Sequence, residues 1–261
     1  MIRKIGIVGL GLIGGSLAKA ARSFAGVEEI VACNRSADAL ENAQKEGVID
    51  RGTQTIDHTF SDCDIIFLCT PVRQIYPFAQ QLAPMIGKEC ILTDVGSTKS
   101  QLARRMQALA GSVTYIGGHP MTGSERSRYG ASRAHLFENA YYLLTPGEST
   151  PPRALATLKA FVEQIGAIPV ILPPQAHDHA GAYRRQLGHV FVVLDLREAQ
   201  SFLVLFQYLQ SQGQIRFGYG KRNIFCSVSA DGLQNDIHAD LFLRQQGKNL
   251  IGAPGFVLNG Q

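Results

Sequence analysis

Ile5 to Gly14 reads IGIVGLGLIG, and the fold of the first part of the chain follows from this stretch. A short apolar run, Ile5 to Val8, has the pattern of a buried strand. It ends in Gly9-Leu10-Gly11-Leu12-Ile13-Gly14, a GxGxxG, and a helix-like segment with small residues on one face follows over Leu12 to Ser23. Glycine is common, so the spacing alone also fits a plain turn; the strand before it and the helix after it give it meaning. In that setting Gly9 permits the tight turn, Gly11 lets the backbone approach a pyrophosphate, and Gly14 lets helix pack closely on strand. The helix start offers the backbone N–H groups of Leu12 and Ile13 and the positive end of a dipole to phosphates. The stretch predicts a dinucleotide site.

Moving outward, strand-like and helix-like segments alternate. Strands are read at Glu29–Cys33, Asp64–Cys69, Cys90–Val95, Val113–Ile116, Tyr141–Leu144 and Pro169–Leu172. Helices are read at Ala37–Glu46, Arg73–Ile86 with a break near Pro77, Thr98–Ala110 and Pro152–Ile165. Such alternation calls for an α/β fold, a Rossmann-type, doubly wound and mostly parallel sheet. Pro173-Pro174 marks a boundary. The expected domains are a nucleotide-binding domain over 1–174 and a smaller, mainly helical region over 175–261. Within the latter, His177 to about Gln210 reads as one helix or two, and no element is assigned beyond Gln212.

The end of the second strand discriminates between cofactors. Sites for NAD usually place an acidic residue there, about 20 residues after the glycines, to bond the ribose hydroxyls. This chain has Asn34, Arg35 and Ser36 instead. A carboxylate would repel a 2′-phosphate, whereas Arg35 can pair with one through a charge-assisted fork. The expectation favours NADP over NAD. The plainer alternative leaves Arg35 solvated and Asn34 serving NAD.

In a parallel sheet, ligands bind at the carboxyl ends of the strands. Thr70 and Pro71 follow the strand ending at Cys69, Ser97 follows the one ending at Val95, and His119 follows Val113–Ile116. All are expected to face the crevice. Ser97 also suits the N-cap of the helix after it. Pro120 keeps His119 out of the helical region. With Gly117 and Gly118 before it, His119 is the candidate catalytic residue, although a lone histidine is more often structural.

Composition excludes several classes. The net charge of +4 is mild and the basic residues are scattered, so no nucleic-acid surface is expected. The longest apolar stretch, His189 to Leu209, is interrupted by Asp195, Arg197 and Glu198, so no membrane span is expected. Five cysteines, odd in number and without a CxxC pair, argue against a disulfide framework or a zinc site and for reduced thiols in a cytoplasmic protein. No signal peptide is read at the N-terminus.

At these residues the sequence resembles the prephenate/arogenate dehydrogenase family of tyrosine biosynthesis. The matching stretches are GLGLIGGSLA (Gly9 to Ala18), LCTP (Leu68 to Pro71), DVGSTK (Asp94 to Lys99), GGHPMTGSE (Gly117 to Glu125) and LFENAYYLLTP (Leu136 to Pro146). His177-Asp178 resembles the His-Asp pair that opens the family's helical domain. The resemblance covers residues 3 to about 183. It implies oxidative decarboxylation of prephenate or arogenate, with hydride passing to NADP or NAD. It also implies that His119 takes the proton of the substrate's 4-hydroxyl, that Ser97 orients that hydroxyl, and that the protein is a homodimer. Histidine suits the task because its pKa lies near working pH.

Beyond Tyr183 the resemblance lapses. Where the family has Ser-His-Leu-Pro-His, this chain has Arg185-Gln186-Leu187-Gly188-His189, and only Leu187 and His189 fit. The family's arginine for the substrate side-chain carboxylate has no convincing counterpart, although Arg216 and Arg222 lie in the neighbourhood. Three readings stay open: a divergent working domain, a domain remodelled for another substrate, or a reading frame shifted near Tyr183. The competing functions are an active dehydrogenase of this family, a non-catalytic NADP-binding protein with a degenerate tail, and a dehydrogenase of another small carboxylate. The GGHPMTGSE stretch counts against the last.

Overall fold

A computed structural model describes residues 2–122 and 128–178, and three strands beyond them. The chain divides into two compact units, Met1–Asp178 and His179–Gln261. The first therefore runs four residues past the boundary read at Pro174, and takes in His177 and Asp178.

The first unit is built on an eight-stranded sheet. Its strands are β1 (Lys4–Val8), β2 (Glu29–Cys33), β3 (Arg51–Thr53), β4 (Ile65–Leu68), β5 (Ile91–Asp94), β6 (Thr114–Pro120), β7 (Tyr141–Pro146) and β8 (Ile168–Ile171). Its helices are α1 (Leu12–Phe24), α2 (Ala37–Lys45), α3 (Val72–Leu82), α4 (Ser100–Met106) and α5 (Pro152–Gln164). The spatial order is β3-β2-β1-β4-β5-β6-β7-β8. From β3 to β6 the strands are parallel, in the order of a dinucleotide-binding sheet, which reverses direction of winding between β1 and β4.

Alternation along each strand divides the core. Ile5, Ile7, Ile65 and Phe67 pack on one face with Leu17, Ala18 and Ala21 of α1, Leu40 of α2 and Phe161 of α5. Val8, Ile66 and Leu68 pack on the other with Ile75 and Leu82 of α3 and Leu102 and Met106 of α4. The period of two, covered on both sides, is what makes these strands read as continuous apolar runs. Burying a side chain such as Phe161, fully inaccessible here, is worth about 1.5–3 kcal/mol.

Three local features differ from the sequence reading. Strand β3 is short, with Arg51 exposed and Gly52 and Thr53 half-buried, and offers too little apolar pattern to be seen. Helix α3 continues through Pro77 rather than breaking there. Strand β7 pairs antiparallel with β6. Parallel return would need a crossover helix, and the described chain between them holds only the single 3-10 turns Tyr129–Ala131 and Ala134–Phe137. Those turns press on the small face of α1: a Cβ on Gly15 would lie 2.9 Å from Ser132, and Ser16 Oγ accepts from the Arg133 N–H at 2.9 Å.

In the second unit the described residues are strands β9 (Ile215–Tyr219), β10 (Ile224–Val228) and β11 (Ile237–Leu241), an antiparallel sheet in the order β11-β10-β9. They fall where the sequence assigned no element. The helix expected from His177 has its start in view, since residues 174–178 are helical. The remainder of that reading, with Leu187 and His189, lies outside the described residues; Arg216 falls in β9.

Among the described residues no helix is long and apolar enough to cross a membrane.

Candidate active site

The crevice at the β1/β4 reversal is lined first by backbone. Gly9 has φ +98°, in the left-handed region that favours glycine, and a Cβ there would lie 2.6 Å from Cys69 O. A Cβ on Gly14 would lie 2.1 Å from Gly9 O, so the turn and α1 close only because both residues are glycine. A Cβ on Gly11 would meet nothing within 4 Å, because that face of the turn is open. Gly11 is also the N-cap of α1 and supplies no capping side chain. The first-turn N–H groups, including those of Leu12 and Ile13, are thus left to an incoming acceptor. Across the crevice Thr70 lies half-buried after β4, and its hydroxyl Oγ1 is inaccessible and has no partner among the described residues. Pro71 caps α3 beside it. An open glycine face, an uncapped helix start and an orphaned hydroxyl fit a dinucleotide.

At the end of β2, Asn34 braces the turn. Its Oδ1 accepts from the Leu10 N–H at 3.1 Å, and its Nδ2 donates to Ser36 O at 3.3 Å. Ser36 caps α2 by accepting from the Ala39 N–H at 3.3 Å. Arg35 between them is exposed. Of the three residues expected to meet the adenosine end, only Arg35 keeps its side-chain polar groups outside the turn's own framework.

The opposite wall is built from side chains around Asp94, the last residue of β5. Its carboxylate is inaccessible and takes four donors. Oδ2 accepts from Lys99 Nζ at 2.6 Å and from the Gly96 N–H at 2.8 Å; Oδ1 accepts from the Tyr115 hydroxyl at 2.7 Å and the Gly118 N–H at 3.2 Å. Lys99 Nζ also donates to Gly96 O at 2.7 Å. Burial and the Asp94 charge push the Tyr115 hydroxyl well above its ordinary pKa, so it remains a donor. This hub fastens β6 to the end of β5. It also explains the paired glycines: a Cβ on Gly117 would meet Thr145 Oγ1 at 2.3 Å, and one on Gly118 would meet Asp94 O at 2.5 Å.

His119 lies inside β6, not beyond it as the sequence implied, because pairing with β7 extends the strand through Pro120 and sets His119 opposite Leu143. Its Nδ1 is 2.9 Å from His177 Nε2. His177 Nδ1 in turn is 2.9 Å from Asp178 Oδ1. Burial lowers the pKa of His177 and the nearby Lys99 cation adds to this, outweighing the bond to Asp178. Burial would raise the Asp178 carboxyl, but the His177 bond and the backbone N–H groups of Lys99 and Ser100 outweigh it and hold Asp178 below the usual carboxylate range.

Ser97 is exposed just past β5, at the same strand end. It is not the cap expected of it. Helix α4 begins only at Ser100, and its first N–H groups are taken by Asp178: Lys99 N–H donates to Oδ1 at 2.6 Å and Ser100 N–H to Oδ2 at 2.8 Å. A carboxylate at a helix N-terminus gains from both bonds and dipole. Because that cap comes from a residue distant in sequence, local spacing could not reveal it. Asp94, Lys99 and Tyr115 were likewise missed; a buried Asp and Lys in one short motif was the available signal.

A sequence profile described as the nucleotide-binding domain of prephenate dehydrogenase matches residues 17–171. The chain belongs to the prephenate dehydrogenase family. It is 34% identical over 186 residues to the prephenate dehydrogenase of Bacillus subtilis, covering 70% of this chain and 50% of that protein. Among solved structures, arogenate dehydrogenase of Synechocystis superposes with a TM-score of 0.64 at 32% identity, over 80% of this chain and 76% of the other. Prephenate dehydrogenase of A. aeolicus, in complex with hydroxyphenyl propionate and NAD+, superposes with a TM-score of 0.66 at 27% identity, over 81% and 70%. The chain spans about half the length of curated relatives it matches. The stretch GGHPMTGSE, which carried much of the family resemblance, is described through Thr122; Gly123 to Glu125 lie outside the described residues.

Proposed function

We propose that the protein is a dehydrogenase that decarboxylates prephenate or arogenate oxidatively, using NADP or NAD. The observation that supports this best is a histidine, His119, held by a second histidine at the carboxyl-end edge of a nucleotide-binding sheet. In this reading His119 takes the proton of the substrate's 4-hydroxyl while hydride leaves the carbon bearing it. The ring carboxylate departs as carbon dioxide, and its bonding electrons complete the aromatic ring. When bound, the nicotinamide accepts the hydride. Gly9, Gly11, Gly14, Leu12 and Ile13 would hold its pyrophosphate, and Thr70 and Pro71 would flank the crevice. Ser97, exposed at the strand end, would orient the hydroxyl.

NADP is the preferred cofactor in this proposal. No carboxylate stands at the end of β2, Asn34 is engaged by the glycine turn, and Arg35 is exposed where a 2′-phosphate would lie. A homodimer rests on the family alone, and a cytoplasmic location on the five cysteines without a CxxC pair.

The deciding experiment offers purified protein prephenate or arogenate with NADP or NAD and follows the absorbance of reduced cofactor. Turnover with one pairing supports the reading and selects substrate and cofactor together. Clear nucleotide binding without turnover would replace it with the non-catalytic NADP-binding alternative.

A further inference from the structure

We infer that Asp178, His177 and His119 form one hydrogen-bonded chain that keeps the proton of His119 on Nδ1 and its basic lone pair on Nε2. This deepens the reading of His119 as the proton acceptor and rests on it. His177 and Asp178 are positioning residues: they act through His119.

Asp178 accepts two backbone N–H bonds, from Lys99 at 2.6 Å and Ser100 at 2.8 Å, which only an acceptor can do. An ionised carboxylate has no proton to give. With Asp178 Oδ1 at 2.9 Å, His177 Nδ1 must carry the hydrogen. His177 is 2% exposed, and a second proton would charge it inside the core, close to Lys99. The charged groups around it are Asp178 on its own helix, and Lys99 and Asp94 from the β5–α4 segment. Asp94 is already saturated by Lys99, Gly96, Tyr115 and Gly118, so Asp178 is the carboxylate that meets the ring. A neutral His177 with its hydrogen on Nδ1 has a lone pair on Nε2. At 2.9 Å from that lone pair, His119 Nδ1 must donate, since two lone pairs would repel. The rings are tilted by 57°, with centroids 5.1 Å apart, so this is an edge-on contact and not a stack.

The chemistry follows. A base acting on a hydroxyl needs its lone pair directed at that hydroxyl and its other nitrogen satisfied. When a proton arrives at His119 Nε2, the resulting imidazolium keeps its Nδ1–H bonded to His177. His177 remains polarised by Asp178, and no proton reaches the carboxylate. The same Asp178 caps α4, so the N-terminus of that helix and the orientation of His119 are set by one side chain.

Nitrogen-15 NMR of the imidazoles in the full-length chain tests this without substrate or cofactor. Signals of His119, one of seven histidines, are identified by their loss in His119→Asn. The wild type should show the unprotonated nitrogen of His119 at Nε2. His177→Phe retains a ring and removes the acceptor, and should shift His119 towards the Nε2–H form. His177→Gln offers an amide oxygen to Nδ1–H and should restore the wild-type pattern. A wild-type His119 protonated on Nε2 overturns the proposal, as does a His119 pattern unchanged in His177→Phe. If that variant does not fold, wild type and His177→Gln decide, since both must show Nδ1–H. Kinetically, His177→Phe should lower kcat by about 10- to 100-fold, with KM changed less than about twofold and with recovery in His177→Gln. The proposed tautomer without turnover on either substrate would leave the chain standing and remove the functional reading.

Discussion

The two walls of the crevice are made in different ways. On the β1/β4 side the surface is backbone: a glycine turn with an open face, an uncapped helix start, and Asn34 bracing the turn from behind. On the β5/β6 side it is side chain: the Asp94 hub, and the chain from Asp178 through His177 to His119. The difference fits the work proposed for each. A pyrophosphate is held by fixed dipoles, which any residue small enough supplies. Proton transfer requires a titratable group aimed to within a fraction of an ångström, and therefore neighbours that lock it.

If the walls divide the labour in this way, their variants should fail differently. His119→Asn should lower kcat by about 10²- to 10⁴-fold while nucleotide affinity, measured by fluorescence titration, stays within about twofold. A large loss of affinity would show that the walls are not separate. Asp94→Asn leaves the buried Lys99 ammonium without its counter-charge and should cost about 3–5 kcal/mol in denaturant unfolding. A smaller cost would mean that the hub can relax. Gly14→Ala drives a methyl group to 2.1 Å from Gly9 O; it should destabilise by about 1–3 kcal/mol and weaken nucleotide binding. Retained binding would count against the glycine turn as the pyrophosphate seat. The mildest is Arg35→Ala, which should leave the melting temperature unchanged and reduce the NADP-over-NAD affinity ratio by roughly tenfold. An unchanged ratio would remove the NADP preference from the proposal.

The walls were also unequally visible. Gly9, Gly11 and Gly14 were legible because the constraint acts between residues a few positions apart, and the helix and strand that confirm it adjoin them. Apart from β3, the strands and helices in 1–174 were located by apolar periodicity for the same reason. His119 was singled out by its flanking Gly117, Gly118 and Pro120, although the glycines are required by Thr145 and Asp94 rather than by a loop. By contrast, the cap of α4 was assigned to Ser97, its neighbour, when Asp178 supplies it. The antiparallel turn of β7 escaped because a strand's direction is set by what connects it, not by its own residues.

The α/β alternation, the glycine turn and the histidine of the second wall could be read from the sequence, because all are properties of short, contiguous segments. The strand order, the bonds of Tyr115 and Gly118 to Asp94 and the placing of His177 and Asp178 against His119 came only with the folded sheet. Those depend on contacts between residues some 20 to 80 positions apart. No local pattern encodes such contacts, because they exist only once the fold has brought the ends of β5 and β6 and the segment after β8 together.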